Sequence, residues 1–322
     1  MTYRAGFDVG GTNARVQLFD ATLKGVDRRR RRVRGATSPD DIAQSLTQLL
    51  VEVCDDNGVA VDAVGIGLAG QLSTDGHTVH NAPNLGWRDV DFVERFADHL
   101  RKEQHLKSPP SIRLVNDLNA QLWGEYLGGA VEAVDDVLAV YVGTGIGGAI
   151  LADGHLVTGA DANAGEIGHS KVVIGGRPCG CGESGCVEAY AGGIHLERRV
   201  AELVDAADDE ALAAVSTESG VDLGAADALA DSHDQIGQIW EEATDYLAII
   251  VANAATLLNP AALLIGGGVL DNCETFRAMT LQKTIPLILE VARRNLVVEQ
   301  ASLGDVAGML GAADLAAMEV TR

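Results

Sequence analysis

Aromatic residues are scarce, at 4% of 322 against 47% hydrophobic residues overall, so the chain reads as a soluble globular protein with aliphatic cores. Proline occurs only seven times, whereas glycine occurs 38 times. A glycine excess without a collagen period points to several turns where backbone approaches a ligand. Positive charge is also short: 24 Lys and Arg stand against 46 Asp and Glu, a net charge of −22, and only five of the cations are lysine. Such a surface repels phosphate backbones and anionic membranes, so neither nucleic acid nor membrane is expected as a partner. Self-repulsion of this size is tolerable where salt screens it, since the Debye length falls to ~3 Å at 1 M salt, and the composition points to a salt-adapted, halophilic setting.

Long apolar runs are missing too. The longest apolar stretch, from Tyr246 to Ile265, is interrupted by Asn253, Asn259 and Pro260 and is no membrane span. The opening MTYRAGFDVGG enters a strand-like run without an apolar leader, so a cytoplasmic location is expected. There are five cysteines, and without an export signal disulfides are disfavoured for them. The length suits roughly two domains of ~150 residues.

The pattern along the chain is that of an α/β protein. Gly6–Val9 and Ala14–Phe19 read as strands about the turn Gly10-Gly11-Thr12, and Val26–Val33 as a third strand. That third strand carries the run RRRRRVR from Arg28 to Arg34, read as a solvated edge rather than an anion site. A helix is expected over Asp41–Asp55 behind Ser38-Pro39-Asp40, a buried strand over Val61–Leu68, and a helix over Val90–Leu100. Lys102–Pro110 reads as a loop, Ile112–Val115 as a strand delivering Asn116-Asp117, and Ala120–Leu127 as a helix. Val137–Val142 reads as a strand ending in GTGIGG, with a hairpin turn at Asp153-Gly154. Acidic, Ala-rich surface helices are expected in Arg199–Ile239, a buried helix over Tyr246–Leu258, and a strand over Leu263–Ile265 that runs into Gly266-Gly267-Gly268. FDVGGTNARVQLFD and VYVGTGIGGAILADG echo one another as strand, glycine turn, strand. The echo suggests a duplicated two-domain architecture with a central cleft and a boundary just after Asp117.

GTGIGG satisfies the dinucleotide fingerprint G-x-G-x-x-G only formally, because that fingerprint needs a helix next and a hairpin signal follows here. Glycine turns between strands still cradle phosphates through exposed N–H groups. Asp8, beside the first turn, suits Mg²⁺, directly or through water. His169, Cys179, Cys181 and Cys186 form H-x₉-C-x-C-x₄-C in a glycine-rich loop, three thiolates and an imidazole suited to tetrahedral, structural Zn²⁺. Cys54 and Cys273 read as ordinary buried residues. Asp117 at a strand end could accept a proton from a hydroxyl, although Asp there is more often a turn or cap. Glu166 and Glu188, flanking the cysteine loop, could accept hydrogen bonds from sugar hydroxyls.

Together DVGGTN (8–13), NAPNLGW (81–87), NDLNAQLWGE (116–125), GTGIGG (143–148), AGEIGH (164–169), CGCGESGCVE (179–188), IGGGV (265–269) and GDVAGMLGAADLA (304–316) resemble the ROK family of sugar kinases, in the actin-like/hexokinase superfamily. The resemblance runs along nearly the whole chain, and the cysteine cluster behind AGEIGH is its most specific part. It implies a two-domain actin-like (ribonuclease H-like) ATPase fold. A smaller domain of residues 1–117 would be joined by a C-terminal segment of about 304–322, and a larger domain of 118–303 would carry the zinc loop. It implies an ATP-dependent hexose kinase, glucokinase first among the options, with Asp117 as general base toward the sugar 6-hydroxyl. Asn116, Glu166, His169 and Glu188, with Gly70 and Asn84, would bind the sugar. Gly10, Gly11, Thr12, Asn13, Thr144 and Gly145 would hold the ATP phosphates, and Gly267-Gly268 would border the adenosine. His169 would serve both zinc and sugar, while Mg²⁺ accompanies ATP. Leu118 stands where the family usually has Ala, a packing change beside the base.

The resemblance further suggests a homodimer or tetramer. The same hydroxyl-binding set would serve an N-acetylmannosamine or N-acetylglucosamine kinase, and mannose and fructose are further candidate substrates. A sugar-sensing repressor would need a winged helix ahead of the first strand, and here that strand begins by Gly6. A non-catalytic sugar-binding protein is disfavoured by the intact Asp8, Asp117 and glycine turns.

Overall fold

The computed structural model describes residues 2–33, 38–103, 109–206, 209–218 and 220–318. Arg34 of the basic run, residues 104–108 of the expected loop, 207, 208 and 219 of the acidic stretch, and the last residues of the C-terminal segment lie outside the described residues. The chain divides into two compact units, one of Met1–Ala133, Leu156–Ala164 and Ala301–Arg322, the other of Val134–His155 and Gly165–Gln300. The boundary expected after Asp117 therefore moves to Ala133, because the helix that Asp117 begins packs against the helix Asp305–Met318 and stays with the first unit.

In the first unit β1 (Tyr3–Val9), β2 (Asn13–Phe19), β3 (Gly25–Arg32), β4 (Val61–Leu68) and β5 (Ser111–Asn116) form one sheet in the order β3-β2-β1-β4-β5. The first three are antiparallel, while β4 and β5 continue parallel to β1. β3 lies at the edge, and its arginines alternate. Arg29 reaches Asp27 at 2.7 Å and Asp56 at 3.1 Å, and Arg31 reaches Glu52 at 2.6 Å, so one face of the run is neutralised by helix α1 (Pro39–Asn57). Ser38 caps α1 by accepting the Asp41 N–H at 3.1 Å, and Ile42, Leu46, Leu49, Leu50 and Val53 form its buried face. The helix expected from Val90 starts later: Trp87–Asp91 is a strand paired with Thr78–Ala82, and Asp91 caps α2 (Phe92–Lys102).

Helix α3 (Asp117–Gly128) and the C-terminal helix Asp305–Met318 pack on the other face of the sheet. A Cβ on Gly6 would run into the Met309 carbonyl and one on Gly65 into that of Ala312, so glycine permits the close approach of helix to sheet. Asp314 anchors this contact, accepting from Trp123 Nε1 at 2.9 Å and pairing with Arg4.

The second unit repeats the scheme. β6 (Val137–Val142) and β7 (Ile146–Ala152) form an antiparallel hairpin, β8 (Ala262–Gly266) runs parallel to β6, and β9 (Val297–Gln300) parallel to β8, with the two-residue strand His155–Leu156 beyond β7. Asp153 and Gly154 take φ of 52° and 69°, the left-handed pair that a two-residue hairpin turn requires. After the short α4 (Glu188–Ala191) and α5 (Gly193–Ala206), the expected buried helix is the 25-residue α6 (Asp234–Leu258). Only one face of it is buried, through Leu247, Val251 and Ala255, while Ile249, Leu257 and Leu258 are exposed. Lys283 on α7 (Glu274–Leu287) ties to α6 through Asp245 at 2.6 Å. Among the described residues no helix is long and apolar enough to cross a membrane.

Candidate functional site

The first unit gathers its candidate residues at the carboxyl edge of its sheet, where α/β proteins bind ligands. In register, Val9 pairs with Leu68 and Leu68 with Asn116. The turn Gly10-Gly11-Thr12, the step Ala69-Gly70 and Asp117 therefore leave neighbouring strands side by side. Asn116 Oδ1 caps α3 by accepting the N–H groups of Leu118 and Asn119, both at 3.1 Å, and its amide donates to the Gly70 carbonyl at 3.4 Å. Asp117 is half-buried, and its Oδ1 accepts the Leu118 N–H at 3.0 Å. Gly70 has φ 157°, and a Cβ there would lie 2.7 Å from the Asn81 carbonyl. Asn84 is exposed, with its carbonyl facing Gly11, where a Cβ would lie 3.5 Å from it.

Asp8 stands directly opposite Arg15, whose guanidinium donates to Asp8 Oδ2 at 2.7 Å and reaches Asp305 at 3.3 Å. Burial holds the Asp8 carboxyl above its ordinary value, against the lowering pull of Arg15. Arg15 was not singled out in the sequence, yet a hairpin closed at Gly10 pairs residue 8 with residue 15, and that register is the signal. Asn13, at the end of the same turn, accepts from Arg30 Nε through its side-chain oxygen at 3.1 Å, which leaves its amide N–H groups as donors.

In the second unit the carboxyl edge carries two glycine turns. β6 ends in Gly143-Thr144-Gly145 and β8 ends at Gly266, in register with Tyr141, just before Gly267-Gly268. The carbonyls of Gly143 and Thr144 accept the first N–H groups of α5, from Gly193 and Ile194, each at 2.9 Å. Gly267 has φ 94° and leads into a short helix. β7, not a helix, follows GTGIGG, which bears out the rejection of the dinucleotide fingerprint. Glu188 sits on both sides of this arrangement: Oε2 accepts the Ile146 N–H at 2.9 Å, and Oε1 lies 3.5 Å from Cys179 Sγ. It thus joins the glycine turn to the cysteine loop.

That loop brings its four residues together. The ligand atoms of His169, Cys179, Cys181 and Cys186 lie within 4.8 Å of one another. His169 Nδ1 is 3.7 Å from Cys179 Sγ, and the Cys181 and Cys186 sulfurs are 3.7 Å apart. Tetrahedral zinc with Zn–S bonds near 2.3 Å sets sulfurs about 3.8 Å apart, so the donor set and its spacing fit that metal. The other ring nitrogen, Nε2, turns to Glu166 at 3.8 Å. The His169 ring therefore faces the sulfurs on one side and a carboxylate on the other. Burial pushes the Cys179 thiol up to about 12, so a bound metal must displace its proton. Lys171, another residue that sequence reasoning passed over, donates to Cys186 Sγ at 3.0 Å. Cys54 and Cys273 are buried outside this group, their thiols pushed by burial up to about 11 and about 12.

Two candidate sites on repeated sheets, one with a carboxylate beside a glycine turn and one with a cysteine-histidine loop beside another, define a class that comparison with known proteins makes specific. The model of the ROK family matches residues 4–319, and the chain belongs to that family. A glucokinase of Halalkalibacterium halodurans is 31% identical over 320 residues, covering 95% of this chain and 92% of that protein. An N-acetyl-D-glucosamine kinase of Salmonella schwarzengrund is 29% identical, covering 96% and 98%. The crystal structure of a ROK family glucokinase from Streptomyces griseus in complex with glucose and AMPPNP superposes with a TM-score of 0.78 at 31% identity, covering 98% and 99% of the two chains. The fold is thus the mixed α/β, two-unit fold of the ROK kinases.

Proposed function

We propose that this protein is an ATP-dependent hexose kinase that phosphorylates the 6-hydroxyl of glucose. The observation that carries the reading is the common edge of the first sheet, where Asp117 and the Gly10–Thr12 turn leave strands in register. A proton acceptor and a phosphate cradle on one rigid edge are what phosphoryl transfer to an alcohol requires. The 6-hydroxyl oxygen attacks the γ-phosphorus, its proton passes to Asp117, and the bond to the leaving ADP oxygen breaks. Asn116, Glu166, His169 and Glu188, with Gly70 and Asn84, bind the sugar. Gly10, Gly11, Thr12, Thr144 and Gly145 bind phosphate, and Gly267-Gly268 border the adenosine.

Mg²⁺ bound with ATP offsets phosphate charge. Asp8 Oδ1, the oxygen that Arg15 does not occupy, would hold a water of that ion. His169, Cys179, Cys181 and Cys186 would hold zinc, which would fix the orientation of the His169 ring through Nδ1 and leave Nε2 and Glu166 toward the sugar. The reading extends to a cytoplasmic, salt-adapted enzyme, with the −22 charge as support, and to a homodimer or tetramer. Self-association is supported by exposed Leu257, Leu287, Leu289 and Val291 in the second unit, near one another where the Leu289 N–H donates to Thr256.

ADP release from Mg·ATP in concentrated KCl, measured across glucose, mannose, fructose, N-acetylglucosamine and N-acetylmannosamine, tests the substrate. Turnover with glucose well above the N-acetyl sugars is expected. Preference for an N-acetyl sugar, the activity named for the Salmonella relative, would keep the chemistry and change the substrate. Asp117→Asn should lower kcat by about 10²–10⁴-fold with glucose binding kept; near-normal turnover would remove Asp117 from the base role.

A further inference from the structure

Lys171 lies two residues beyond His169 and outside every motif that marks the family. Its surroundings give it a defined task. Lys171 and Cys186 form an isolated antiparallel bridge. The backbone bonds flanking it run from Val172 N–H to the Gly185 carbonyl at 2.8 Å and from Val187 N–H to the Ser170 carbonyl at 2.9 Å. This pattern makes Lys171 and Cys186 a non-hydrogen-bonded pair, the type in which facing side chains come closest. The ammonium group then closes on the sulfur, with Nζ 3.0 Å from Cys186 Sγ.

The charge arithmetic gives that contact its purpose. Three thiolates, a neutral imidazole and Zn²⁺ sum to −1 in a chain already at −22. One ammonium at hydrogen-bond distance brings the centre to neutrality. A lysine suits the place because its compact point charge meets a single sulfur, whereas a guanidinium fork matches paired oxygens. The choice also stands out in a chain with only five lysines among 24 cations.

We propose that Lys171 is a positioning residue of the metal centre: its N–H···S bond holds the Cys186 thiolate in place and neutralises the three-thiolate site, slowing metal loss. This rests on the reading of the cluster as a zinc site. Outer-shell hydrogen bonds of this kind change metal affinity by 10–100-fold, and the exposure of Lys171 puts the effect at the lower end.

The test uses the full chain loaded with zinc. Metal content is measured first, and then the rate of zinc transfer to a chromophoric chelator is followed for the parent, Lys171→Met and Lys171→Arg. Lys171→Met should release zinc about tenfold faster, while Lys171→Arg, which keeps the charge, stays within about threefold of the parent. In the cobalt-substituted protein the thiolate-to-metal charge-transfer band should shift in Lys171→Met and less so in Lys171→Arg. Equal release rates for parent and Lys171→Met, with an unchanged cobalt spectrum, would overturn the role of Lys171 and leave the zinc site standing. A parent that takes up no stoichiometric zinc would overturn the zinc site, and with it the inference.

Discussion

The two units build the same sheet and fix its working edge by different means. In the first unit the edge is held from below: α3 and the C-terminal helix pack on the sheet, Asn116 caps α3, and buried carboxylates pin the connecting chain. Glu125 is fully buried and accepts from the N–H groups of Ala130 at 2.7 Å, Ser302 at 2.9 Å and Leu303 at 2.8 Å. In the second unit the residues after β7 that reach the edge lie in a glycine-rich loop with little regular structure, and four side chains suited to a metal gather it. The contrast shows that one topology can position functional groups either through its own core or through a local cross-link, and the two should fail differently.

Breaking the second unit's device should give the largest functional effect. Cys181→Ala removes one of four ligands, so zinc content should drop from about one to near zero and sugar phosphorylation should vanish with it. Metal analysis beside an ADP-release assay checks this, and an active zinc-free variant would contradict the role of the loop. Breaking the first unit's device should instead show as stability. Glu125→Ala takes the acceptor from three N–H groups, those of half-buried Ala130 and Leu303 and of exposed Ser302, so a loss of about 1–3 kcal/mol is expected, read from denaturant unfolding at constant salt. A loss below about 1 kcal/mol would mean that water or other groups replace the carboxylate.

The smallest effect concerns Asp8. Its folded pKa lies above the ordinary 3.8, chiefly through burial. Its stabilising contribution is therefore complete below that ordinary value and is lost as pH rises through the folded value. At neutral pH the charged form is the costlier one in the folded state. Asp8→Asn should then raise unfolding stability at pH 7 by less than about 1 kcal/mol, with the gain fading as pH falls through the acid range. Activity should fall in the same variant, and a loss of stability at pH 7 would show that the Arg15 pair outweighs burial.

Much of this was legible in the sequence. The glycine turns, the Ser38 cap, the strand Val61–Leu68 and the cysteine cluster rest on local signals that tertiary packing does not override. What was not legible depends on partners distant along the chain. The boundary after Ala133 follows from α3 packing on residues 305–318, which no local pattern announces. Lys171 acquires its role only because the bridge to Cys186 folds back across fifteen residues. Glu188 stands out in the sequence as an acid beside the cysteine loop and a candidate for sugar hydroxyls, and only the approach of β7 shows that its carboxylate accepts the Ile146 N–H. The helix starts at Phe92 rather than Val90 because the apolar spacing of α2 continues back into an edge strand, and Asp91, the cap, lies inside that spacing.

The C-terminal helix has a consequence for how the molecule comes into being. β1 leaves the ribosome about 300 residues ahead of the helix that covers it, whose Asp314 holds Arg4 across 310 residues. The second unit, whose sheet and helices all lie between residues 134 and 300, can complete its core during synthesis. The first unit must wait with Gly6 and Gly65 uncovered until residues 305–318 arrive. Contacts so far apart in sequence form slowly, so the second unit is expected to close its core before the first.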